Sequence, residues 1–123
     1  MAFLTDRKRA AGLGSAKEGT NHHIQMMISA VALVILMPLF LITFGSALGG
    51  SHEEIMAYYA RPFPAIVAVL TLTVGLLHFN SGVRSAIEDY TGGLVRKGLI
   101  LLSTLVSYGA VATGLFAIAK IAL

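Results

Sequence analysis

The stretch PFPAIVAVLTLTVGLLHFNSGVRSAIEDY, Pro62 to Tyr90, decides the fold. It holds no Lys, Arg, Asp or Glu until Arg84. A helix needs about 20 residues to cross the roughly 30 Å hydrocarbon layer of a bilayer. Backbone polar groups in lipid must be satisfied within the segment, so such a run is a transmembrane helix. Two more charge-free blocks, between Glu18 and Glu53 and between Lys97 and Lys120, read the same way. The predicted spans are about residues 24–48, 63–83 and 98–119. A polar cytoplasmic arm, residues 1–20, precedes them and is expected to take its order from a partner. Residues 21–123 form one three-helix transmembrane domain.

Composition agrees. Of 123 residues, 56% are hydrophobic and only 12% charged, with a mean hydropathy of +0.80; soluble domains run nearer a quarter charged. The net charge of +3 does not point to nucleic acid, because no Lys/Arg stripe with interleaved aromatics exists. Cysteine is absent, which excludes disulfides, thiolate catalysis and Cys-ligated metals. No Gly-rich phosphate loop, nucleophile–base set or His-x3-His metal pair is present. The first span follows Arg7, Lys8 and Arg9 as a signal peptide would, but its apolar run is too long for one and no small-x-small cleavage site follows.

Orientation follows from where Lys and Arg lie. The arm carries Arg7, Lys8, Arg9 and Lys17, and the second loop carries Arg84, Arg96 and Lys97. The first loop has only Arg61, and the C-terminal end only Lys120. This bias predicts a cytoplasmic N-terminus and second loop, hence, in a bacterial inner membrane, a periplasmic C-terminus. In the first loop Ser51 and Glu54 have capping-box spacing, and Tyr58 and Tyr59 suit the membrane interface. A short interfacial helix is expected from His52 to about Ala60, with Pro62 and Pro64 opening the next span. Small residues at i,i+4 (Gly45/Gly49, Ser103/Ser107, Ala110/Gly114) offer seams for close helix approach. Three helices enclose little space, so a membrane partner is expected.

His78 is the conspicuous residue of the second span. It precedes Arg84 by about 9 Å of helix axis, inside the hydrocarbon region, where an ionisable group is a functional candidate by default. At about 100° per residue, Thr71, Gly75, Gly82, Ser85 and Asp89 share its face within about 60°. Small neighbours beside an imidazole would let a flat macrocycle lie against the helix, with His78 as an iron ligand. A hydrogen bond to a neighbouring helix and a proton relay fit the same residue. Asp89 and Tyr90 fall at the cytoplasmic edge. A phenol can donate to a quinone carbonyl and a carboxylate can orient donors or move protons. A solvated helix end before Thr91-Gly92-Gly93 accounts for the same pair. His22 and His23 stand at the cytoplasmic mouth of the first span, and His52 on the opposite side has no assigned role.

The segment LLHFNSGVRSAIEDY, Leu76 to Tyr90, resembles the His-x10-Asp-Tyr segment of the hydrophobic membrane anchor subunits of succinate dehydrogenase (respiratory complex II). The basic arm, the first span with SAVALVILMPLF, the acidic loop and the last span follow in the matching order, so the likeness covers about residues 20–120. The resemblance implies an all-α membrane protein whose three transmembrane helices pack with a partner anchor subunit, cytochrome b556. The two would hold one haem b and bind the flavoprotein and iron–sulfur subunits, passing electrons from succinate to ubiquinone. It further implies that His78 is an axial haem ligand, that Tyr90 hydrogen-bonds the quinone, and that Asp89 belongs to the quinone site. One departure stands out: relatives carry an arginine early in the first span where this chain has Met27 in QMMISA. Compensation of the haem propionates is then left to His22, His23 or the partner. The rival readings are the anchor of a fumarate reductase or another b-type cytochrome complex, a cofactor-free structural or assembly protein, and a proton or ion transport component using His78 and Asp89.

Overall fold

The computed structural model describes residues 3–12 and 18–123, and every regular element among them is an α-helix. α1 spans Asp6–Ala11, α2 Glu18–Ala47, α3 His52–Tyr59, α4 Pro62–Tyr90 and α5 Gly93–Ala122. Three of them are long and apolar enough to cross a membrane: α2 from Thr20, α4 and α5.

The arm predicted to depend on a partner contains a helix of its own. Thr5 caps α1 by accepting from the Lys8 N–H at 3.2 Å, and Gly12, at φ 53°, ends it. Lys17 lies outside the described residues. α2 begins before the predicted Ile24, because Thr20, Asn21, His22 and His23 extend the helix beyond the apolar block. Pro38 sits inside α2, where it removes one backbone donor. Gly49 follows the helix at φ 83°, a conformation that favours glycine.

α3 is built as its sequence signals. The Ser51 hydroxyl accepts from the Glu54 N–H, and the Glu54 carboxylate accepts from the Ser51 N–H at 2.8 Å. Burial, with Tyr58 alongside, raises the Tyr59 phenol above its usual range. α4 starts with Pro62 in its first turn, where the missing N–H costs least. It runs on past Arg84 to Tyr90, and Arg96 of α5 closes its end by donating to the carbonyls of Glu88 and Thr91.

α4 is the central element. It packs along α2 on one side and α5 on the other, and the backbones of α2 and α5 do not approach each other. Along α2 the inward positions run from His22 through Met26, Ser29, Leu33, Leu36, Phe40 and Thr43 to Ala47, in alternating steps of four and three. That repeat is the seam pattern of helices wound around one another. Buried residues are few and small: Pro64, Ala65, Val67, Ala68 and Thr71 on α4, Thr43 on α2 and Ser107 on α5. In lipid the hydrophobic effect does not hold helices together, so close contact of small residues carries the packing. Gly114 is the clearest case, since a Cβ there would overlap Leu72 Cδ2 and reach within 3.3 Å of its Cγ. Of the predicted seams, Ser103, Ser107 and Gly114 do line the inner side of α5, whereas Gly45 meets nothing and Gly49 belongs to the turn. Large apolar side chains such as Val34, Ile35, Leu41 and Ile42 on α2, and Leu101, Leu105 and Phe116 on α5, face outward. That arrangement suits a chain surrounded by lipid and other membrane helices.

Candidate functional site

The cytoplasm-predicted half of the α2–α4 seam is unusually polar. His78 Nδ1 lies 2.6 Å from Ser29 Oγ of α2. Two turns along, Ser85 Oγ lies 3.5 Å from His22 Nε2. The two helices are antiparallel, so a histidine on each faces a serine on the other, with the two pairs seven positions apart on both helices. Gly75 lies beside Leu33 of α2, and a Cβ added there would meet Leu33 Cδ2 only at ordinary van der Waals distance, 3.9 Å.

This geometry revises the helical-wheel picture. The face carrying Gly75, His78 and Ser85 is turned to α2, because the imidazole and the hydroxyl find partners there that lipid cannot offer. The open space lies to the other side of His78. A groove of about 330 Å³ is lined by Gln25, Ile28, Ser29 and Ala32 of α2 and by Val74, Leu77, His78 and Ser81 of α4. Its wall is mostly apolar, and small residues at Ala32 and Ser81 keep it open. Only at Gly82 does the glycine side face free space, where an added Cβ would meet nothing within 4 Å.

The donor set fits one side of a haem site. His78 is half-buried, its Nδ1 is held by Ser29, and its Nε2 has no hydrogen-bond partner among the described residues. Six-coordinate iron needs a second ligand, and no group of three or more His, Asp or Glu side chains that could hold a metal ion occurs among the described residues. His22 is engaged with Ser85, His23 is exposed, and Met27, in place of the arginine expected by resemblance, is exposed at the helix surface. Two buried polar atoms of α4, Thr71 Oγ1 and Asn80 Oδ1, have no hydrogen-bond partner among the described residues.

Asp89 and Tyr90 occupy the last turn of α4 and are exposed, Tyr90 to 88%. Their surroundings are already committed. Arg84 pairs with Glu88 at 3.1 Å, and Arg96 caps the helix end. Neither Asp89 nor Tyr90 makes a side-chain hydrogen bond among the described residues, so both project beyond the folded chain as free groups.

A three-span chain with an intramembrane histidine and an acid–phenol pair at the helix end can be set beside known proteins. The succinate dehydrogenase/fumarate reductase transmembrane subunit family matches residues 2–118. The succinate dehydrogenase hydrophobic membrane anchor subunit of Paracoccus denitrificans is 46% identical over 123 residues, all of this chain and 95% of the relative. The chain belongs to the membrane anchor subunits of succinate dehydrogenase. The anchor subunit of Rickettsia bellii is 32% identical over 107 residues, 85% of each chain, and that of Rickettsia conorii 28% identical over 90 residues. No solved structure gives a significant match.

As a member of this anchor family, the chain is an integral membrane protein with three apolar helices. The structure also adds residues that the sequence did not single out. Ser29, Gln25 and Ser81 enter the site only through the register of α2 on α4. The sequence signal for Ser29 was a polar residue of the first span that falls on the inward repeat with His22.

Proposed function

We propose that this anchor subunit supplies His78 as one axial ligand of haem b, and Tyr90 with Asp89 as part of the ubiquinone-reduction site of succinate dehydrogenase. The second axial ligand comes from the cytochrome b556 subunit, and the flavoprotein and iron–sulfur subunits dock at the α4–α5 turn and N-terminal arm. The observation that carries this reading is the state of α4. Its imidazole has one nitrogen held and one free beside an apolar groove, and its end presents an unpaired phenol and carboxylate. The haem, when bound, supplies a one-electron carrier inside the membrane. His78 would hold it by the ring nitrogen that Ser29 leaves free, while Val74, Leu77 and Ala32 would keep water from that edge. Tyr90 lies about 18 Å further along the helix axis, at the membrane surface. Its O–H donates to a quinone carbonyl, and Asp89 orients that donor and passes protons from the aqueous side.

The Lys/Arg bias supports the orientation required, with the arm and the α4–α5 turn in the cytoplasm and the C-terminus in the periplasm of a bacterial inner membrane. The test uses the whole complex with the wild-type anchor, with the anchor deleted, and with Tyr90→Phe. Deletion is expected to move succinate oxidation, measured with an artificial acceptor, from membranes to the soluble fraction. Tyr90→Phe is expected to keep that activity on the membrane while lowering quinone reduction roughly tenfold to a hundredfold, the scale of one hydrogen bond to a charged group at about 1.5–3 kcal/mol. Membrane attachment without this chain would refute anchoring, and unchanged quinone reduction in Tyr90→Phe would refute the quinone role.

A further inference from the structure

We propose that Ser29 is the positioning residue of His78, fixing which ring nitrogen faces the haem iron; the inference rests on His78 being the ligand. A serine hydroxyl has one proton to give and two lone pairs with which to accept. In α2 that proton is already placed, because Ser29 Oγ donates to the Met26 carbonyl at 2.9 Å, the back-bond typical of a helical serine. With that proton on the Met26 carbonyl, His78 Nδ1, 2.6 Å from the same oxygen, is the donor of the second contact. Nδ1 then carries a proton, and in the ligating form of the ring the lone pair lies on Nε2. Nε2 is also the nitrogen without a protein partner, on a residue that lines the apolar groove. The chain of bonds runs from the Met26 carbonyl through Ser29 to His78, so the backbone of α2 sets the tautomer and ring orientation on α4.

Histidines that bind metals commonly donate their other N–H to an acceptor, which fixes the ring and raises the basicity of the ligating nitrogen. An acceptor at Nδ1–H favours the ferric state, so removing it should raise the reduction potential of the haem. The experiment compares purified whole complexes carrying Ser29→Thr and Ser29→Val by potentiometric titration of the haem spectrum. Threonine and valine have nearly the same shape, and only threonine keeps the hydroxyl. The Thr variant is expected to match wild type. The Val variant is expected to shift upward by as much as tenfold in the Fe(II)/Fe(III) ratio at fixed potential, about 59 mV for one electron, or to lose haem where Thr retains it. Equal behaviour of Thr and Val, or a downward shift in Val, overturns the role of Ser29. A His78→Ala arm separates the two ideas: an unchanged low-spin haem spectrum there would remove the ligand itself, whatever Ser29 does.

Discussion

The two seams of α4 are built in opposite ways. Against α5 the contact is closed: Gly114 lets Leu72 press onto the α5 backbone, Ser107 is buried, and Arg96 ties the helix end to the turn. Against α2 the contact is polar and unfinished. Two histidine–serine pairs hold the register, and beside them lies a groove of about 330 Å³ bordered by a free imidazole nitrogen. Hydrogen bonds between helices serve packing by themselves, but a groove left open beside a free imidazole nitrogen does not. On the proposed reading, structure falls to one side of α4 and chemistry to the other.

Substitutions on the two sides should therefore fail differently. The largest effect is expected from Ser81→Leu, which fills the groove beside His78: the complex should assemble on the membrane but lose most of its haem b, as measured by pyridine haemochrome per flavin. Next is Gly114→Val on the closed seam. Overpacking costs about 1–3 kcal/mol, so the complex should lose thermal stability in detergent while the haem that remains keeps its spectrum. The smallest effect is expected from Gly82→Ala, whose new Cβ meets nothing and whose helix propensity improves by up to about 1 kcal/mol. Haem content and melting temperature should stay at or slightly above wild type. Loss of haem in Gly82→Ala would instead show that the occupant lies on the glycine side of His78, and would redraw the site.

Much of this fold was legible because membrane helices announce themselves by length and absence of charge. The capping box at Ser51/Glu54 and the proline start of α4 are local signals, and both held to within a residue. The helix in the arm was missed because one turn capped by Thr5 and ended by Gly12 leaves too short a pattern in polar sequence. The site was half legible. His78, Asp89 and Tyr90 could be picked out because ionisable groups are rare in and beside the spans. The direction of the His78 face could not, since a helical wheel ranks neighbours on one helix and says nothing about which helix covers them. Ser29 became part of the site through a contact 49 positions away in sequence, which only the packing of α2 on α4 supplies. The glycines at 75 and 82 had suggested a wall for a macrocycle, yet Gly75 sits on the side covered by Leu33 of α2.

The central claim is that α4 brings one haem ligand to a site completed by another chain. The reduced-minus-oxidised visible spectrum of the purified complex, wild type against His78→Ala, tests it most directly. The account predicts a low-spin haem b signal in wild type that is lost or converted to another ligation state in the variant, with the soluble subunits still attached. A low-spin signal unchanged in position and amplitude in His78→Ala would contradict it.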